Sequence, residues 1–140
     1  MTVSSDFARV VAIIDNDGLP VTDMERVQKL DEAGILEVVI SAGSENGVTD
    51  DMRFVLYESG EELRDPVNGS SLGQFEIVKG RGRITHLQPR MSILRSTQTR
   101  RVLLDPFSVS FVKSSGQASE PRTVAVPFKS IKIGDLVRPI

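Results

Sequence analysis

His86 is the sole imidazole of this chain, and cysteine is absent. One copy therefore cannot build a multi-histidine metal site, a relay between imidazoles, a thiolate zinc site or a thiol nucleophile. Between Thr85 and Leu87, in an extended stretch, His86 reads as a half-buried structural residue. Asp15-Asn16-Asp17-Gly18 has the opening of a calcium loop. The remaining oxygen ligands and the bidentate glutamate do not fall at EF-hand spacing, so turn chemistry accounts for it. Asp50-Asp51 and Glu61-Glu62 are acidic pairs of the kind that act as acid and base or hold a divalent ion. Neighbours on a strand point to opposite faces, which makes solvated turns the plainer reading. Gly80-Arg81-Gly82-Arg83 lacks the third glycine and the helix start that would cradle a pyrophosphate. No catalytic set, cofactor or metal is expected from these residues.

One constellation points to a partner. Lys79, Arg81, Arg83, Arg90, Arg95, Arg100 and Arg101 follow one another without an intervening acid. Guanidinium forks suit phosphates and carboxylates alike, so nucleic acid, another anionic ligand or an acidic protein surface could dock there. Internal pairing is the competing and favoured reading. Residues 1–65 hold fifteen acids and five bases, a net of −10, whereas residues 66–140 hold four acids and twelve bases, a net of +8. Interleaved strands from the two halves would neutralise one another. The six phenylalanines and one tyrosine lie mostly in apolar runs, unlike the exposed aromatics of a single-strand-binding face.

The elements that must position these residues are mostly extended. At 140 residues and 39% apolar content the chain suits a single domain, 1–140, with one core. Arg9 to Ile14 reads as a first strand closed by an Asx-glycine turn. Thr22-Asp23-Met24-Glu25 reads as a capping box, with Thr22 opening a helix over about 22–33 that Gly34 ends. Ile35 to Ser41 and Met52 to Glu58 are strands; the run Phe54-Val55-Leu56-Tyr57 predicts a central strand covered on both faces. Asp65-Pro66-Val67-Asn68-Gly69 turns the chain into a strand from Gln74 to Lys79. Gly80-Arg81-Gly82 then reads as a hairpin reversal into Arg83 to Gln88, an arm that Met91 to Arg95 continues. Arg101 to Leu104, Phe107 to Val112 and Thr123 to Phe128 are further extended segments, with a flexible loop over about 113–122. Near the end, Gly134-Asp135 reads as a corner at which glycine takes a positive φ and the carboxylate accepts backbone N–H groups. The sum is a mainly β fold: a small closed or partly open β-barrel of about six to eight strands with one short helix near the amino terminus.

The succession Gly47-Val48, Phe54-Val55-Leu56-Tyr57, Gly60-Glu61-Glu62, Asp65-Pro66, Gly69, Leu72-Gly73 and Ile133-Gly134-Asp135 resembles the C-terminal β-barrel domain of bacterial flagellar assembly T proteins. It is also similar to small stand-alone bacterial proteins with that barrel. The resemblance spans roughly residues 35–95 and the last ten, and it implies a barrel used for assembly or binding, with no catalytic residues to carry over. The expectation is a non-catalytic binding or assembly module whose partner is protein, self-association included. Nucleic-acid or anionic-ligand binding through the stretch 79–101 is the alternative. The amino terminus has no basic patch followed by an apolar stretch and apolar runs are short, so neither export nor membrane insertion is expected and the setting is cytoplasmic.

Overall fold

Strand β1 (Ala8–Ile14) places Ala8, Val10, Ala12 and Ile13 in the interior of a computed structural model that describes residues 7–102 and 122–140. It is followed by β2 (Pro20–Val21), helix α1 (Met24–Ala33), β3 (Glu37–Ile40), a 3₁₀ turn at Ser44–Asn46, β4 (Arg53–Arg64), β5 (Ser71–Leu87), β6 (Ser92–Ser96), β7 (Thr99–Val102), β8 (Arg122–Ala125) and β9 (Leu136–Pro139). Six antiparallel strands run in the order β1-β3-β6-β5-β4-β9, and β9 returns to β1. Ala8↔Val137 and Arg9↔Leu136 form that short closing seam, which backbone bonds of Val10 to Gly134 and Asp135 extend, and the ring is a partly open barrel. Strand β2 pairs with the end of β1, and β7 and β8 make a separate two-stranded sheet.

Alternation along the strands builds the core. Phe54 and Leu56 of β4, Ile84 of β5, Leu94 of β6, Val38 and Ile40 of β3 and Val137 of β9 meet inside. Helix α1 inserts Val27 into the same cluster, flanked by Met24 and Leu30. Its N-cap is Asp23, whose carboxylate accepts from Glu25 N at 3.1 Å. That corrects the expected Thr22 cap: the Asp23 carboxylate, one residue later, reaches the first turn, and Thr22 is exposed before it. Gly34 ends the helix as expected, its N–H reaching Leu30 and Asp31 carbonyls. Residues Phe54 to Tyr57 are all buried: Phe54 and Leu56 face the core, while Val55 and Tyr57 join Leu136 in a second small cluster. Strand β4 is central here, between β5 and β9.

The glycines at 80 and 82 do not reverse the chain. Strand β5 runs unbroken through them for 17 residues. A Cβ on Gly80 would stand 2.5 Å from Phe128 Cδ1, and one on Gly82 would stand 2.6 Å from the Arg95 carbonyl oxygen, so both glycines serve close approach. The reversal comes later, where Gln88 N donates to Met91 O at 3.0 Å, and residues 92–95 belong to the neighbouring strand β6 rather than continuing the same arm. The Asp65–Gly69 turn joins β4 to β5 as expected, with Val67 N and Gly69 N both donating to Asp65 at 2.8 Å. Arg122 opens β8, which takes it out of the expected loop; the rest of that loop and the segment 107–112 lie outside the described residues. Among the described residues no helix is long and apolar enough to cross a membrane.

Candidate functional site

Lys79 is held where β5 carries one residue more than β4. Leu56 pairs with Gly80 and Tyr57 with Val78, so Lys79 is the unpaired residue of a β-bulge, and the bulge turns its side chain inward. Only 5% of it is exposed. Its ammonium donates to both Asp135 oxygens at 3.0 Å, to Glu58 Oε1 at 2.9 Å and to Ser130 O at 3.0 Å. Gly134, at φ 97°, makes the corner that presents Asp135, and Asp135 Oδ2 also accepts from Lys132 N at 2.8 Å. The hydrogen bond and charge of Lys79, with Lys132 added, hold the Glu58 carboxyl below the usual carboxylate range. Lys79 therefore ties the bulge to the β9 corner and has no donor left for a ligand, which removes it from the candidate basic surface.

Beyond Lys79 the hairpin leaves the barrel. The β9 pairing of β4 stops at Tyr57 and the β6 pairing of β5 starts at Gly82, so residues 58–64 and 71–77 form a two-stranded arm whose outer edges have no strand partner among the described residues. Seven residues of strand on each side reach about 23 Å. The two edges differ. The β4 side carries Glu61, Glu62 and Arg64 around a single exposed apolar residue, Leu63, with Glu62 paired to Arg64 at 2.9 Å and accepting from Ser71 Oγ at 2.9 Å. The β5 side exposes Leu72 (67%), Phe75 (55%), Ile77 and Val78 (43% each). Its one acid, Glu76, accepts two bonds from Arg138, at 2.8 and 3.1 Å, and raises the pKa of that guanidinium. Arg138 in turn lies 5.7 Å above the Tyr57 ring.

A cleft of about 810 Å³ sits at the arm's root, lined by Tyr57, Glu58, Ser59, Glu62, Gln74, Glu76 and the Asp135 corner. The Tyr57 hydroxyl is buried there without a hydrogen-bond partner among the described residues. Every carboxylate of the cleft is paired with a cation: Glu58 and Asp135 share Lys79, Glu62 takes Arg64 and Glu76 takes Arg138. Among the described residues no three His, Asp or Glu side chains stand together in a metal-holding group. The Asp15 carboxylate caps its own turn, accepting from Asp17 N and Leu19 N at 2.9 Å, as turn chemistry predicts.

The remaining basic residues separate into three places. Cross-strand register sets Arg83 between Arg53 of β4 and Arg95 of β6, and Arg95 beside Glu37 of β3. Arg81 lies two residues along β5, on the same face as Arg83. Arg53, Arg81 and Arg83 are exposed and make no ion pair among the described residues, while Arg95 stands 3.7 Å from Glu37. Internal pairing with first-half acids is thus confined to Lys79 and Arg95 among the residues of that stretch. Arg90 is exposed in the 88–91 turn, and Arg100 and Arg101 are exposed on β7. Arg53 was not among the residues the sequence singled out, because it comes from the acidic half and only register reveals its neighbours. His86 is exposed opposite Ile93, rather than half-buried, after a register shift between Ile84 and His86. No family model, curated protein or solved structure matches the chain.

Proposed function

We propose that the protein is a non-catalytic assembly module that joins a second copy of itself through the β5 edge of its arm. The observation that carries this is the asymmetry of the two arm edges. An open strand edge is a template for another strand, and the usual guards are charges placed along it. The β4 edge has such guards in Glu61, Glu62 and Arg64, and the β5 edge has instead Leu72, Phe75, Ile77 and Val78. An isolated two-stranded ribbon is marginal in water, so the arm gains most from a third strand. A second copy fits because two identical edges pair antiparallel about a two-fold axis, each side supplying what the other needs. Repulsion does not oppose it, since Glu76 is already neutralised by Arg138. Assembly is also what the resemblance to the flagellar barrel domain implies, and the cytoplasmic setting expected from the sequence belongs to the same proposal.

Sedimentation velocity over a wide concentration range tests this reading. The unaltered chain should associate, and Phe75→Lys/Ile77→Lys should stay monomeric with an unchanged circular dichroism spectrum. A monomer at every concentration, or association untouched by the double substitution, would overturn it.

A further inference from the structure

The structure assigns a phosphate-binding face to Arg53, Arg81, Arg83 and Arg95, on a part of the barrel separate from the arm's β5 edge. Directly opposed residues of neighbouring strands lie about 5 Å apart at Cα, and like charges in that position destabilise a sheet. Here three arginines stand side by side on β4, β5 and β6, with a fourth two residues along β5. Among the described residues the one carboxylate that pairs with the row is Glu37, 3.7 Å from Arg95 and outside good hydrogen-bonding distance, which leaves the other three without an ion pair. An anion shared among the guanidiniums would relieve the repulsion.

Phosphate suits this arrangement better than carboxylate. Each guanidinium offers five N–H donors in a planar fork, and a tetrahedral phosphate can present oxygens to several forks at once. A row of arginines also matches a chain with a charge at every repeat rather than one isolated ion. The ligand class is therefore a phosphate chain, whose two sources are a nucleic-acid backbone and free inorganic polyphosphate. Tyr57, the sole tyrosine, is buried, and none of the four positions is aromatic. Recognition would thus be independent of base sequence, through phosphates alone.

The test is fluorescence anisotropy with a labelled duplex oligonucleotide at low salt, together with a parallel titration of labelled inorganic polyphosphate. Binding should weaken with salt along a log–log slope of about −3 to −4 for the duplex, if four arginines each neutralise one phosphate. Arg53→Gln/Arg83→Gln should lose tenfold or more in affinity, and Arg90→Gln, in the 88–91 turn, should lose little. Binding of both probes, each sensitive to the double substitution, supports the face as a general phosphate-chain site. Binding of polyphosphate alone identifies that source, and binding of duplex alone identifies the other. Failure of both probes at low salt, or binding indifferent to Arg53→Gln/Arg83→Gln, overturns the inference. So does a double substitution that alters only self-association, which would make the face an acidic-protein contact.

Discussion

Lys79 is the residue on which the arm's attachment depends. With 5% of Lys79 and 4% of the Asp135 side chain exposed, neither charge is well hydrated, and each is stabilised by the other. Lys79→Met should leave Asp135 as a buried carboxylate without its cation and lower stability by about 3 kcal/mol in urea denaturation. A change near zero would mean that the pair is dispensable. The same contact sets an acid dependence. Because the folded state holds Glu58 below its ordinary pKa, first through the Lys79 hydrogen bond, its contribution is present above the usual carboxylate range and disappears as pH falls through the lowered value. Stability of the unaltered chain should fall over that interval, and Lys79→Met should show a shallower acid limb. Nothing in the sequence separates Lys79 from the arginines that follow it. Its inward turn depends on the one-residue offset between Leu56↔Gly80 and Tyr57↔Val78, which is a property of strand pairing.

Local signals did specify local structure. Met24, Val27 and Leu30 at helical spacing, with Gly34 after them, mark α1 to within two residues at its start, and the four apolar residues from Phe54 mark a strand buried on both faces. The Gly134-Asp135 corner was equally legible, since positive φ and an Asx acceptor are both local chemistry. Gly80 was misread because a glycine that admits a neighbouring side chain has the same letter as one that turns the chain. Its φ of 155° and the Phe128 ring above it are consequences of tertiary packing. Gly80→Ala should therefore destabilise the protein by about 2 kcal/mol in thermal or urea melts, combining backbone strain with overpacking. A neutral result would show that Phe128 moves aside without cost.

Across the whole molecule, the opposed charges of the two halves do less internal work than their totals suggest. Interleaving brings Glu58 to Lys79 and Glu37 near Arg95, yet it also lines up Arg53 with Arg83 and leaves both outward. The barrel order β1-β3-β6-β5-β4-β9 gathers Arg53, Arg81, Arg83 and Arg95 on one face and projects the β4–β5 arm from the ring. The extended segments and their turns foretold the β class, but neither the arm nor the arginine row could be read from them, because both follow from strand pairing and from where pairing with β6 and β9 stops. The β5 edge of the arm is apolar and has no strand partner among the described residues, and we propose that a second copy covers it. Amide hydrogen exchange of residues 72–78, measured at low and high protein concentration, tests it most directly. Protection there should rise with concentration in the unaltered chain and not in Phe75→Lys/Ile77→Lys; fast exchange at those amides at every concentration would contradict it.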